Sequence, residues 1–135
     1  MDRLSPARRS ENMRRIRSRD TSPELTVRRL VHRMGFRYRL SPPHLPGKPD
    51  LAFARLRKAI FVHGCFWHSH RGCKLAHAPQ SRLEYWGPKL KRNKARDRQS
   101  LRALRALGWE ALVVWECETA NPLPLAARLL EFLRS

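Results

Sequence analysis

The sequence predicts one α/β domain, a small mixed β-sheet flanked by helices. Three observations lead there. A chain of 135 residues has the length of a single domain, and a hydrophobic fraction of 41% can fill a core despite a net charge of +18. Short apolar runs of strand length are interleaved with longer stretches of helical periodicity. A helix-length segment separates the last apolar run from the one before it, which requires a crossover and favours parallel pairing of the two.

Residues 1–20 are Arg-rich and polar, with Met13 and Ile16 three apart, and read as a basic arm or short helix ahead of a domain spanning 21–135. Thr21-Ser22-Pro23-Glu24 is a helix start, with a hydroxyl cap, a Pro in the first turn and Glu24 placed to complete a capping box. Leu25, Leu30, Val31 and Met34 supply the apolar stripe, and Gly35 ends the helix. Phe36 to Leu40 alternates with period two, as a half-buried strand does. Ser41 to Gly47 is a loop by composition. Asp50 to Phe53 and Ala59 to Val62 are short apolar strands joined by the basic turn Arg55-Leu56-Arg57-Lys58, which completes an antiparallel meander. Cys65 to Pro79 is irregular and dense in Cys, His and Gly. From about Lys89 to Leu107 a helix turns Leu90, Leu101, Leu104 and Leu107 inward and its Lys and Arg outward, and Gly108 stops it. Ala111 to Val114 is a buried strand, and Leu125, Leu129, Leu130 and Leu133 line a closing helix.

No apolar run reaches the length of a bilayer span, and the N-terminus has no apolar signal core, so a membrane or secreted protein is not expected. Three cysteines cannot all pair within one chain, which points to reduced thiols in the cytoplasm. The charge is unevenly placed. Residues 1–39 hold twelve basic and four acidic side chains and residues 82–105 nine and two, whereas residues 106–135 hold two and four. A phosphate backbone is the partner such a distribution suits, because neutralising phosphates releases condensed counterions.

Two clusters carry chemistry. Cys65, His70 and Cys73 lie within nine residues, and Cys117 follows the last strand. With strands three and four adjacent, the set meets at one end of the sheet as a Cys3His site for structural zinc; His68 and His77 are nearby alternatives to His70. Asp50 is the sole carboxylate between residues 40 and 81 and opens a strand opposite Val62-His63-Gly64. A carboxylate, a strand-end carbonyl and the imidazoles of His63 and His68 thus converge beside phosphate-attracting surface. Hard oxygen ligands there suit Mg2+, and imidazole can move a proton near neutral pH. Phosphodiester hydrolysis and a zinc-stabilised DNA-binding module without catalysis both remain open on spacing alone. Phe66-Trp67 and Tyr85-Trp86 are aromatic pairs flanking the basic segments, and rings of this kind can wedge between bases; Trp109 and Trp115 read as ordinary core.

Ser10-Glu11-Asn12-Met13-Arg14, Thr21-Ser22-Pro23-Glu24, Leu45-Pro46-Gly47-Lys48-Pro49-Asp50, Phe61-Val62-His63-Gly64-Cys65-Phe66-Trp67-His68, Glu84-Tyr85-Trp86 and Val114-Trp115-Glu116-Cys117 together resemble the very-short-patch repair (Vsr) DNA mismatch endonucleases, over roughly residues 8–133. The resemblance implies a restriction-endonuclease-like fold and a Mg2+-dependent nick 5′ to the thymine of a T:G mismatch in double-stranded DNA. By position it implies Asp50 and the main chain of Val62 as Mg2+ ligands, where Val62 replaces a Thr. It further implies His68 as the main catalytic histidine, with His63, Glu24 and Asp97 in support, and zinc on Cys65, His70, Cys73 and Cys117. Phe66, Trp67 and Trp86 would wedge at the major-groove side and Met13 at the minor groove, with Lys89 and Asn93 on the mispaired bases. Nicking one strand needs only one active centre, so a monomer suffices; mismatch-repair proteins are the implied associates. A same-fold nuclease with another DNA target is the alternative.

Overall fold

The computed structural model describes residues 21–68, 70–73 and 83–135, and for 83–85 the backbone alone. Helix α1 spans Ser22–Arg33, strand β1 Arg39–Leu40, β2 Leu51–Phe53 and β3 Lys58–His63. Helix α2 follows at Leu83–Ala106, then β4 at Glu110–Trp115, a 3-10 segment at Glu116–Ala120 and helix α3 at Pro122–Arg134. The four strands lie in the order β1-β2-β3-β4. The first three pair antiparallel, with Leu51 opposite Ile60, and β4 joins β3 in parallel, with His63 opposite Trp115. The mixed sheet and flanking helices agree with the expected class. The expected arm at 1–20 lies outside the described residues.

The sheet separates two apolar clusters. On one face Val27 and Val31 of α1 and Leu125, Leu129 and Leu133 of α3 pack with Leu51, Phe53, Ile60 and Val114. On the other, Leu104 of α2 packs with Leu45, Ala52, Ala59 and Phe61. Burying both faces explains why β2 and β3 carry near-continuous apolar runs.

Local departures from the expected elements have identifiable causes. Pairing in β1 is confined to Arg39 and Leu40, because the Phe36 N–H is taken by the Val31 carbonyl in the closure of α1 around Gly35 at φ +85°. Phe36 and Tyr38 still set their rings against Phe53 edge-on. Thr21 caps α1 by accepting from the Glu24 N–H at 3.4 Å, but the Glu24 carboxylate does not complete the box; it is buried and pairs with Arg28 at 3.1 Å. Lys58 belongs to β3 rather than to the basic turn. It is 4% exposed, and its ammonium donates to the main-chain oxygens of Phe132 and Ser135 at 2.6 and 2.7 Å, closing the end of α3. Helix α2 begins at Leu83, ahead of the expected Lys89, with Pro88 inside it. A Pro so near the N-terminus forfeits one backbone bond, and the added turns bring Trp86 against Phe66 and Trp67. Leu107 lies past the end of α2 and is 56% exposed, not inward.

Candidate active site and metal centre

The C-terminal end of β3, the loop before β2, the start of α1 and one flank of α2 enclose a cleft of about 930 Å³. Glu24, Asp50, Val62, His63, His68 and Asp97 all line it, as do Asn93, Phe66 and Trp67. Residues separated by as many as 95 positions in the chain, Thr21 and Glu116, therefore share one cavity.

Asp50 reaches the cleft on the turn that ends in Gly47-Lys48-Pro49. Gly47 sits at φ +76°, and a Cβ there would stand 2.6 Å from the Ser100 Cβ of α2. Only glycine permits both the backbone angle and the close approach. Lys48 follows at φ +48°, a conformation that costs energy for a non-glycine residue and recurs at functional sites. The Asp50 Oδ2 accepts the Val62 N–H at 2.6 Å, which places the main chain of Val62 against that carboxylate. Burial pushes the Asp50 carboxyl up from 3.8 to about 6; the Val62 hydrogen bond opposes this and Glu24 adds to it.

Two imidazoles line the same cleft as Asp50. The rings of His63 and His68 are stacked with centroids 3.8 Å apart and planes 6° from parallel. The Nδ1 of His68 lies 2.6 Å from Asp97 Oδ2 on α2. His63 is 6% exposed and its Nδ1 has no hydrogen-bond partner among the described residues. Burial, and next the neighbouring His68, push His63 down to about 4, so it is neutral near pH 7. Donor atoms of His63, His68 and Asp97 fall within 4.8 Å of one another. Imidazole lone pairs lie in the ring plane, and two parallel planes cannot meet at a single ion, so the stack opposes joint ligation by both rings. The oxygen side of the cleft, at Asp50 and Val62, is the part whose chemistry fits a hard cation.

The second cluster gathers Cys65, His70, Cys73 and Cys117, whose donor atoms also fall within 4.8 Å. Both the Cys65 and the Cys117 sulfur lie 3.5 Å from His70 Nδ1. Zinc bonds of about 2.3 Å to sulfur and about 2.0 Å to nitrogen at a tetrahedral angle give a sulfur–nitrogen separation of about 3.5 Å, so the donors fit this ion. His70, not His68, completes the set; His77 lies outside the described residues. Burial pushes the Cys65 thiol up to about 12 and also raises Cys117, so a cation here must displace protons. Glu116, which the sequence reading passed over, joins this loop to the cleft: its Oε1 accepts the Cys65 N–H at 3.2 Å while the side chain lines the cavity. Its place beside Cys117 was the available signal.

At the mouth, Phe66, Trp67 and Trp86 form a three-ring cluster with centroid separations of 5.3 to 5.5 Å. The Lys89 ammonium lies 5.5 Å from the Trp67 ring centroid and 5.8 Å from that of Trp86. The Asn93 amide donates to the Trp67 carbonyl at 3.1 Å. Lys48 and Arg96, also on the rim and not singled out by the sequence, add positive charge. Met13 lies outside the described residues.

The architecture matches that of the homing endonuclease I-Bth0305I catalytic domain with a TM-score of 0.57 at 17% identity, over 84% of this chain and 94% of that one. The "Type II nicking enzyme V.XorIIP" of Xanthomonas oryzae pv. oryzae is 50% identical over 132 residues, 98% of this chain and 96% of that protein. The "DNA mismatch endonuclease Vsr" of Escherichia coli is 44% identical over 111 residues, 82% of this chain and 70% of that protein. The chain is therefore an endonuclease that acts on DNA. It belongs to the DNA mismatch endonuclease Vsr family, whose model matches residues 1–75.

Proposed function

We propose that this endonuclease nicks one strand of duplex DNA 5′ to the thymine of a T:G mismatch, in very-short-patch repair. The observation that carries the reading is the meeting of Asp50, His68 and Asp97 in one cleft that Phe66 and Trp67 also line, their rings in contact with Trp86. The names of the relatives, a mismatch endonuclease and a nicking enzyme, agree with it. The four-stranded core is read as restriction-endonuclease-like.

The rings present apolar faces to a base step, and a wobble pair is a weak place to open one. Lys89 and Asn93, beside the rings, face the mispaired bases, and Met13 on the basic arm of residues 1–20 enters the opposite groove. Asp50 and the main chain of Val62 would hold Mg2+, which supplies positive charge to the phosphate oxygens and lowers the pKa of an attacking water. The Asp97 carboxylate oxygen accepts from Nδ1 of His68, which fixes the tautomer and leaves Nε2 to take a proton from water or to orient the phosphate. His63 backs His68, and Glu24 adds negative charge behind Asp50. Cys65, His70, Cys73 and Cys117 would hold a structural zinc that shapes the loop carrying Phe66, Trp67 and His68. The domain of residues 21–135 works as a monomer on nucleoid DNA in the cytoplasm, alongside mismatch-repair proteins.

The test is incubation with Mg2+ and matched, T:G-mismatched and single-stranded oligonucleotides. A single nick in the thymine strand of the mismatched duplex is expected. Equal cutting of matched duplex would replace this target with another, and no cutting with Mg2+ would remove the metal assignment.

A further inference from the structure

Trp115 connects the two clusters. It ends β4 directly opposite His63 in the parallel register, and its indole meets the His63 ring edge to face, with centroids 5.3 Å apart and planes at 77°. On its other contact it stacks on His70, with centroids 4.0 Å apart and planes 7° from parallel. His63 in turn lies flat on His68. Four rings thus run without a break from a member of the Cys/His cluster to the histidine that Asp97 engages.

His63 is the link that requires such support. Its Nδ1 is buried without a hydrogen-bond partner among the described residues, so no directional bond from them fixes the ring at that atom. Packing must do so, and among the described residues the His63 ring meets the rings of Phe61 at 5.8 Å, Trp115 and His68. The main chain of Trp115 is itself anchored, because its backbone N–H donates to Glu118 Oε1 at 3.0 Å. We infer that Trp115 is a positioning residue: braced by His70, it holds His63 flat against His68 and so sets the angle at which His68 meets the scissile phosphate.

This inference rests on the proposed role of His68, and its test separates the two. Trp115→Phe and Trp115→Leu are compared with wild type on the T:G duplex, with single-turnover rates, KM and melting temperature measured. Trp115→Leu, which keeps apolar bulk but has no ring, is expected to lower kcat by about tenfold to a hundredfold, as small misplacements at reacting groups do, with KM within about twofold. Trp115→Phe is expected to restore most of that loss. Wild-type kcat in the Leu variant overturns the inference, as does a loss shared by KM and melting temperature that Phe does not rescue. Proton NMR of the wild-type protein gives an activity-independent reading: cross-relaxation from the Trp115 indole to both His63 and His70 is expected, and its absence overturns the inference whatever the variants do. If wild type nicks no DNA but shows these contacts, the proposed function falls and the ring alignment stands.

Discussion

His68 on the loop after β3 and Asp97 in the middle of α2 are joined through Nδ1 and Oδ2 at 2.6 Å. The sequence separates them by 29 residues, and α2 carries Lys or Arg at most surrounding exposed positions. In the proposed mechanism the purpose of this acidic side chain on a basic helix face is to orient one imidazole.

Replacing that carboxylate tests the purpose. Asp97→Asn keeps the shape but allows the amide to present its N–H to His68 and favour the wrong tautomer. The nicking rate should fall by about 10²-fold or more, while affinity for uncut mismatched duplex holds within about threefold. Single-turnover kinetics and a binding titration without divalent metal measure both; an unchanged rate would detach Asp97 from His68 function.

Asp50 makes a stability prediction as well as a kinetic one. Its carboxyl titrates near 6 in the folded chain against 3.8 ordinarily, so the folded state binds the proton more tightly than the unfolded state. The ionised form thus costs stability above pH 6, and that cost disappears as pH falls from about 6 to about 4. Asp50→Asn should therefore melt several degrees above wild type at pH 7.5 without divalent metal, with the gap closing by about pH 4.5. His63 acts with the opposite sign in the same window: its lowered pKa makes both proteins less stable as pH falls from 6.5 to about 4, so it cancels in the comparison. The same variant should not nick. A pH-independent gap in melting temperature would contradict the burial of Asp50.

Gly47 lets the turn leading to Asp50 pass close to Ser100 of α2. In Gly47→Ala, the left-handed backbone costs about 1–2 kcal/mol and the Ser100 side chain must move away as well. We expect a lower denaturation midpoint together with at least a tenfold loss in nicking. Wild-type behaviour on both measures would show the turn to be irrelevant to the site.

For the Cys/His cluster, metal analysis of the purified protein should find one zinc per chain. Cys73→Ser should remove most of it and lower the melting temperature, and chelation of wild type should reproduce that loss. A zinc-free wild-type protein of full stability would leave these four residues as a packed thiol cluster.

How much was legible beforehand depended on the range of the interaction. The α/β class, the parallel β3–β4 pairing and the gathering of Cys65, Cys73 and Cys117 with a nearby histidine could be read from apolar periodicity and spacing, because these are local patterns and crossover rules. The resemblance supplied Glu24 and Asp97, which spacing alone did not. Trp115 read as ordinary core and Glu116 went unnoticed, since nothing in a strand of mixed apolar residues tells which ring a neighbour will meet.

What the amino-acid order alone determined is the set of elements, the chemistry available to them and the segments in which positive charge is concentrated. The tertiary structure decided which side chains share a cleft, that His63 and His68 lie parallel rather than aimed at one ion, and that Trp86 joins Phe66 and Trp67. It also turned Lys58 from a turn cation into a buried clamp on α3. The reason is physical: periodicity records burial, which every residue in an element shares, whereas ring angles and carboxylate partners arise from contacts between segments far apart in the chain.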